Sequence, residues 1–391
     1  MSDFYKRAQE LKDELVQNRR TIHQFGGLGF DIPDTVKFVK EKLASYGYEP
    51  QEICQSGITC TAGSGGKCIL LRADMDALPL NEESGEPFAC TNGTMHACGH
   101  DMHAAMLLGA AKMLKERESE LKGTVKFMFQ PAEEILSGAN AMIEAGILDE
   151  PKVDAAMAMH IAVGSPRVER KLGAVKYSVG NCSHSADEFQ ITVTVPKGKR
   201  GINPLSILVR INLGLQELPA VEFPAHHMVD VKCGVLRVGK TGNTPAESGI
   251  LKGVARTAVG ETRMQLKERI ETIAKTIAEG FQSTAEIEWV RGVPPMYNDP
   301  ALCEELAGYC SEVVGREKIY VTPAGGGGED FSAISERVPS MFFDLGCGNE
   351  EDGYLYPNHN PKFRVNEDAL PIGAALHAVC AMNWLANHAE D

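Results

Sequence analysis

The stretch Glu188-Phe189-Gln190-Ile191-Thr192-Val193-Thr194-Val195 alternates polar and apolar residues at a period of two. That is the pattern of a half-buried strand. Working outward, Pro204 to Leu218 has helical spacing, and strand-like stretches follow at Met228 to Val238 and Gly249 to Thr257. A helix at Glu261 to Phe281 and a strand at Ala285 to Val290 complete the run. The order is β-α-β-β-α-β, which closes as a four-stranded antiparallel sheet with two helices on one face, a ferredoxin-like α+β unit.

The flanks have another texture. Residues 4 to 18 and 34 to 46 read as amphipathic helices. Lys67 to Arg72, Thr124 to Phe129 and Val153 to Met159 read as buried strands, and Ala104 to Lys115 as a helix rich in Ala, Leu and Met. Helices alternating with buried strands imply an α/β layered domain with a mixed sheet. The same texture returns after Pro294, with a helix near Pro300 to Val314, a strand at Met341 to Leu345 and a long C-terminal helix. The expected organisation is a discontinuous catalytic domain, 1-179 and 294-391, with a smaller lid domain inserted at 180-293. A chain of 391 residues also favours two cores over one.

Composition narrows the function. Hydrophobic residues at 43% and charged residues at 24% describe a chain that folds into a globule. A net charge of -14, with no basic stripe, argues against nucleic-acid binding. No run reaches the roughly 18 consecutive apolar residues of a membrane span, and Met1 to Arg20 does not read as a secretory signal. Eleven cysteines without paired spacing suit a reducing compartment, so a cytoplasmic setting is expected.

Chemistry concentrates in His96-Ala97-Cys98-Gly99-His100-Asp101-Met102-His103. Thiolate and imidazole are the donors zinc favours, and no Cys-x-x-Cys spacing points to redox work. A second signal is Phe129-Gln130-Pro131-Ala132-Glu133-Glu134, where a strand runs into two carboxylates. Alone they would read as a solvated helix start. Beside a metal, one carboxylate can bind the ion while its neighbour takes a proton from water. His160 ends an apolar strand, and His359 lies in the loop Tyr356-Pro357-Asn358-His359-Asn360-Pro361. Either histidine alone is more often structural.

The runs Leu71-Arg72-Ala73-Asp74-Met75-Asp76-Ala77-Leu78-Pro79, Met95 to His103 and Gln130-Pro131-Ala132-Glu133-Glu134 together resemble the aminoacylase-like binuclear metallohydrolases. That family includes hippurate hydrolases and plant auxin-conjugate (indoleacetyl amino acid) hydrolases. Arg19-Arg20-Thr21-Ile22-His23, Glu329-Asp330-Phe331 and the His359 loop extend the resemblance over nearly the whole chain. It implies two divalent metal ions, zinc or manganese, with cobalt or nickel compatible with the same donors. It also implies that Cys98 bridges the ions, that His100 and His160 complete one shell, and that Glu134 and His359 serve the other. Glu133 is then the general base and acid, and Asp76 and Asp101 orient the ligands.

Departures fall in the inserted domain. Where relatives carry a histidine that reaches the active site, this chain reads Pro196-Lys197-Gly198-Lys199-Arg200-Gly201-Ile202-Asn203-Pro204, with Lys199 or Arg200 as candidate replacements. Asn243 in Gly242-Asn243-Thr244-Pro245, and Arg256, match substrate-binding positions; a guanidinium suits a substrate carboxylate. Near the start, Gly26-Gly27 replaces a Pro-Glu pair. The expected activity is hydrolysis of small N-acyl amino acids to a carboxylic acid and a free amino acid. A metallo-carboxypeptidase or dipeptidase with the same chemistry, and a catalytically impaired ligand-binding relative, are the alternatives. The expected partner is the small substrate, with neither nucleic acid nor membrane, and with a homodimer through the inserted domain.

Overall fold

The computed structural model describes residues 3–198, 201–244, 246–325 and 327–389. The chain forms two compact units. The first comprises residues 1–180, 297–324 and 333–391, and the second 181–296 and 325–332. The sequence reading keeps 325–332 with the flanks. Backbone hydrogen bonds tie that segment to the other unit: Gly325 N–H donates to Cys182 O at 3.0 Å and His184 N–H to Gly327 O at 3.3 Å.

The first unit is built on an eight-stranded mixed sheet. Its four central strands, Thr124–Gln130, Cys68–Asp74, Ala155–Ala162 and Ser340–Gly346, run parallel side by side. Gly57–Gly63 pairs antiparallel with Thr124–Gln130 on one flank, followed by Gln51–Cys54. Val175–Tyr177 and Ile319–Val321 close the other flank. Thr124–Gln130 and Cys68–Asp74 are buried along their whole length, which explains their nearly unbroken apolar runs. Burying side chains such as Phe127 and Phe129 contributes roughly 1.5–3 kcal/mol each.

Helix His100–Glu116 packs against the sheet and against the C-terminal helix Ala369–Asn387. Small residues allow the close approach: a Cβ on Gly109 would stand 2.5 Å from a Leu15 methyl and 3.1 Å from the Ala374 Cβ. Ala369–Asn387 is apolar and long enough to cross a membrane, yet 89% of its most apolar 18-residue stretch is buried inside the protein, as befits a core helix.

The second unit is the four-stranded antiparallel sheet expected, in the order Thr284–Val293, Ala186–Thr194, Ser248–Arg256, Asp230–Val238. Phe189, Ile191 and Val193 point to one face and pack with Ile207, Ile211, Leu215, Leu266 and Ile270 of helices Pro204–Glu222 and Gly260–Gly280. The opening alternation is thus the core of this unit. Asp230–Val238 forms one edge of the sheet.

Candidate metal centre

The parallel strands of the first unit deliver their chemistry at their carboxyl ends, where open α/β sheets gather sites. Cys68–Asp74 leads into Asp74 and Asp76, Thr124–Gln130 into Glu133 and Glu134, and Ala155–Ala162 carries His160. Helix His100–Glu116 begins beside them, and the loop bearing His359 is pinned on top. His359 N–H donates to Ala97 O at 2.8 Å, and Asn358 Nδ2 to Cys98 O at 2.9 Å.

Cys98 is the centre of this gathering. Its Sγ lies 3.2 Å from Nε2 of His160 and 3.2 Å from Nε2 of His359. His160 donates from Nδ1 to the carbonyl of Ile161 at 2.7 Å, so its Nε2 keeps a free lone pair. Glu134 Oε1 lies 3.8 Å from His359 Nε2 and 3.8 Å from His100 Nε2, and Glu133 Oε2 lies 3.9 Å from the same His100 nitrogen. Cys98, His100 and His160 therefore form one group of three donors, and Cys98, Glu134 and His359 a second, with the thiol common to both.

Electrostatics ask for cations here. His100 is fully buried, and among the described residues neither ring nitrogen has a hydrogen-bond partner; Glu134 Oε1 is likewise without one. Such orphaned groups are costly unless something ligates them. Burial raises the Glu134 carboxyl above its usual range, with His100 opposing and Asp76 adding to the shift. Burial also pushes the Cys98 thiol far up. For His100, burial opposes the charge, but the Asp74 carboxylate outweighs it and holds the ring well above its usual value. A buried thiol, buried imidazoles and crowded carboxylates fit divalent ions, which ionise the thiol and balance the negative charge.

The backbone around the site is held in unusual conformations. Ala132, just before Glu133, has φ of 57°, and His359 has φ of 69°. Non-glycine residues occupy this region at a cost, and clusters of such residues mark functional sites. Asp76 steadies the acidic turn: its Oδ1 accepts from Glu133 N–H at 3.0 Å and its Oδ2 from Glu134 N–H at 3.2 Å. Asp76 Oδ1 also faces His100 Nδ1 at 3.4 Å.

Asp101 Oδ2 accepts from Arg19 Nε at 2.6 Å and meets His23 Nδ1 at 2.8 Å, which ties it to helix Lys12–Phe25. Neighbouring side chains on a helix diverge, and His100 already takes the direction of the site. His96 is buried beside this network, and burial pushes its ring down to about 3.

Asp74 is a participant that sequence reasoning leaves unassigned. It lies 2.5 Å from His103 Nδ1, 2.7 Å from Arg72 Nη1 and 3.6 Å from His100 Nε2. His103 Nε2 accepts from Ile161 N–H at 2.8 Å, which puts its proton on Nδ1, toward Asp74. The available signal was Arg72, a charge within a wholly buried strand, which demands a buried partner.

The remaining candidates belong to the second unit. Asn243 is exposed in a turn. Arg256 ends its strand opposite Asp230, and among the described residues its Nη1 has no hydrogen-bond partner. Lys199, Arg200 and Pro245 lie outside the described residues.

The chain is 33% identical to thermostable carboxypeptidase 2 of Saccharolobus solfataricus, over 96% of this chain and 97% of that one. It is 31% identical to the N-acetylcysteine deacetylase of Bacillus subtilis, over 94% of this chain and 96% of the relative. Among solved structures it resembles the Bacillus subtilis YXEP protein, described as a dinuclear metal binding peptidase from the M20 family. That match has a TM-score of 0.79 and 30% identity, covering 97% of this chain and 99% of that one. The model of peptidase family M20/M25/M40 matches residues 70–383. With its buried thiol, histidines and paired glutamates in one place, the chain belongs to peptidase family M20/M25/M40.

Proposed function

We propose that this chain is a metal-dependent amidohydrolase that cleaves small N-acyl amino acids, with Glu133 as the proton-transferring residue. The observation that carries the reading is Cys98 seated between His160 and His359, with the orphaned ring of His100 and the buried Glu133 beside it. The deacetylase relative names the same type of substrate.

Cys98, His100 and His160 would hold one divalent ion, and Cys98, Glu134 and His359 a second. Such ions supply Lewis acidity to an amide carbonyl and acidify water. Glu133 takes the proton of the attacking water on its carboxylate and returns it to the leaving amine. Asp76 fixes the backbone of the turn that carries this carboxylate by accepting from the Glu133 and Glu134 N–H groups. Arg256, whose Nη1 has no hydrogen-bond partner among the described residues, is the candidate for the substrate carboxylate, and Asn243 a second substrate contact. Zinc or manganese suits the donors. All eleven cysteines are free, which favours the cytoplasm. The edge strand Asp230–Val238 is a pairing surface for a homodimer.

The carboxypeptidase relative supports a second reading in which the amide is a peptide bond. The test is amine release from N-acetyl, N-benzoyl and longer N-acyl amino acids beside dipeptides and longer peptides, with bound metal measured. Cleavage of acyl amino acids is expected; cleavage of peptides alone shifts the assignment to a peptidase.

A further inference from the structure

The loop between helices Lys12–Phe25 and Pro33–Ser45 reads Gly26-Gly27-Leu28-Gly29-Phe30-Asp31. It is hydrogen-bonded to both loops that carry the site. Ala77 N–H, next to Asp76, donates to Gly27 O at 2.8 Å, and Ala132 N–H, next to Glu133, donates to Gly29 O at 3.1 Å. Gly26 and Gly27 have φ of 59° and 103°. A Cβ on Gly26 would stand 2.0 Å from Thr94 Oγ1, and one on Gly27 2.9 Å from Asp31 O. Only glycine lets the chain come in this way.

Leu28 stands between those two anchors and is 40% exposed. Ile135, the residue after Glu134, is 36% exposed, and its Cδ1 lies 3.1 Å from where a Cβ would stand on Gly29. Two large apolar side chains thus stand partly exposed on loops that are continuous with, or hydrogen-bonded to, the loops carrying Asp76 and Glu133. Exposed apolar surface concentrated at a site is a binding feature.

We infer that Leu28 and Ile135 form an apolar subsite for the acyl chain of the substrate and set the acyl-length preference. This rests on the N-acyl amino acid reading above. The substrate carboxylate is excluded from such a wall, because an apolar surface strips its water without replacing the hydrogen bonds. The uncharged acyl end of the substrate is the part that such a wall accepts.

The test compares wild type with Leu28→Asn/Ile135→Asn, and with the milder Ile135→Ala, on N-acetyl, N-hexanoyl and N-decanoyl derivatives of one amino acid. Wild-type kcat/KM is expected to rise with chain length, by up to about fourfold per buried methylene. In the variants the loss grows with length, reaching about tenfold or more for decanoyl, and falls on KM rather than kcat. An equal loss at every length, or a change that follows the amino-acid side chain instead, overturns the subsite. If wild type hydrolyses none of the series, the amidohydrolase reading fails separately. Calorimetric binding of the same compounds to the metal-loaded chain then decides the subsite: affinity rising with length only in wild type supports it, and equal slopes overturn it.

Discussion

Nε2 of His359 lies 3.2 Å from Sγ of Cys98, although 261 residues of chain separate the two. The thiol is buried and held protonated, so a metal ion arriving between them must displace its proton. Zinc binding to the metal-free chain is therefore expected to release about one proton or more at pH 7 and to strengthen as pH rises. Titration calorimetry in buffers of different ionisation enthalpy measures this. Binding without proton release contradicts the ligand role of Cys98, and Cys98→Ser should lose most of the bound metal.

Asp76 holds the acidic turn by accepting two backbone N–H groups. Asp76→Asn replaces one acceptor with a donor that must face an N–H. Turnover is expected to fall roughly 10–100-fold while the fold persists. Steady-state kinetics with metal analysis checks it; unchanged kcat would make Asp76 a bystander.

Arg19, His23 and Asp101 form a charged cluster that is almost fully buried. Removing one partner with Arg19→Met is expected to cost about 3–5 kcal/mol in urea unfolding. Burial opposes charging His23, but Asp101 and Glu82 outweigh it and raise its pKa. A raised folded pKa gives stability that is complete below about pH 6.5 and is lost as pH climbs through the folded value. Wild-type stability should thus decline above about pH 6.5, and His23→Gln should remove that part of the decline.

The Nη1 of Arg256 has no hydrogen-bond partner among the described residues. If it holds the substrate carboxylate, Arg256→Met raises KM for N-acyl amino acids by roughly tenfold or more and leaves the corresponding amino-acid amides nearly unaffected. Equal effects on both would assign Arg256 a structural role.

Much of this was readable because period and burial coincide. The alternation at Phe189, Ile191 and Val193 exposed the antiparallel unit, and the unbroken runs in Cys68–Asp74 and Thr124–Gln130 exposed the parallel sheet. The hairpin of Gln51–Cys54 and Gly57–Gly63 was missed, since its short strands carry glycine and cysteine and lie at the sheet edge. The segment 325–332 is glycine-rich and without period, so its membership in the second unit depends on hydrogen bonds that no local pattern announces. His96 to His103 advertised a centre, but which side chains turn inward was set by packing: His100 faces the glutamates, while Asp101 faces Arg19. Asp74 stayed hidden because a carboxylate paired with Arg72 and His103 shows only once strand and helix are adjacent.

The most direct measurement is the turnover of Glu133→Gln against wild type on an N-acyl amino acid, with metal content determined for both. The two proteins are expected to bind the same metal while turnover falls by about a hundredfold to ten-thousandfold. A variant that keeps its metal and hydrolyses at the wild-type rate would contradict the role of Glu133 on which the account depends.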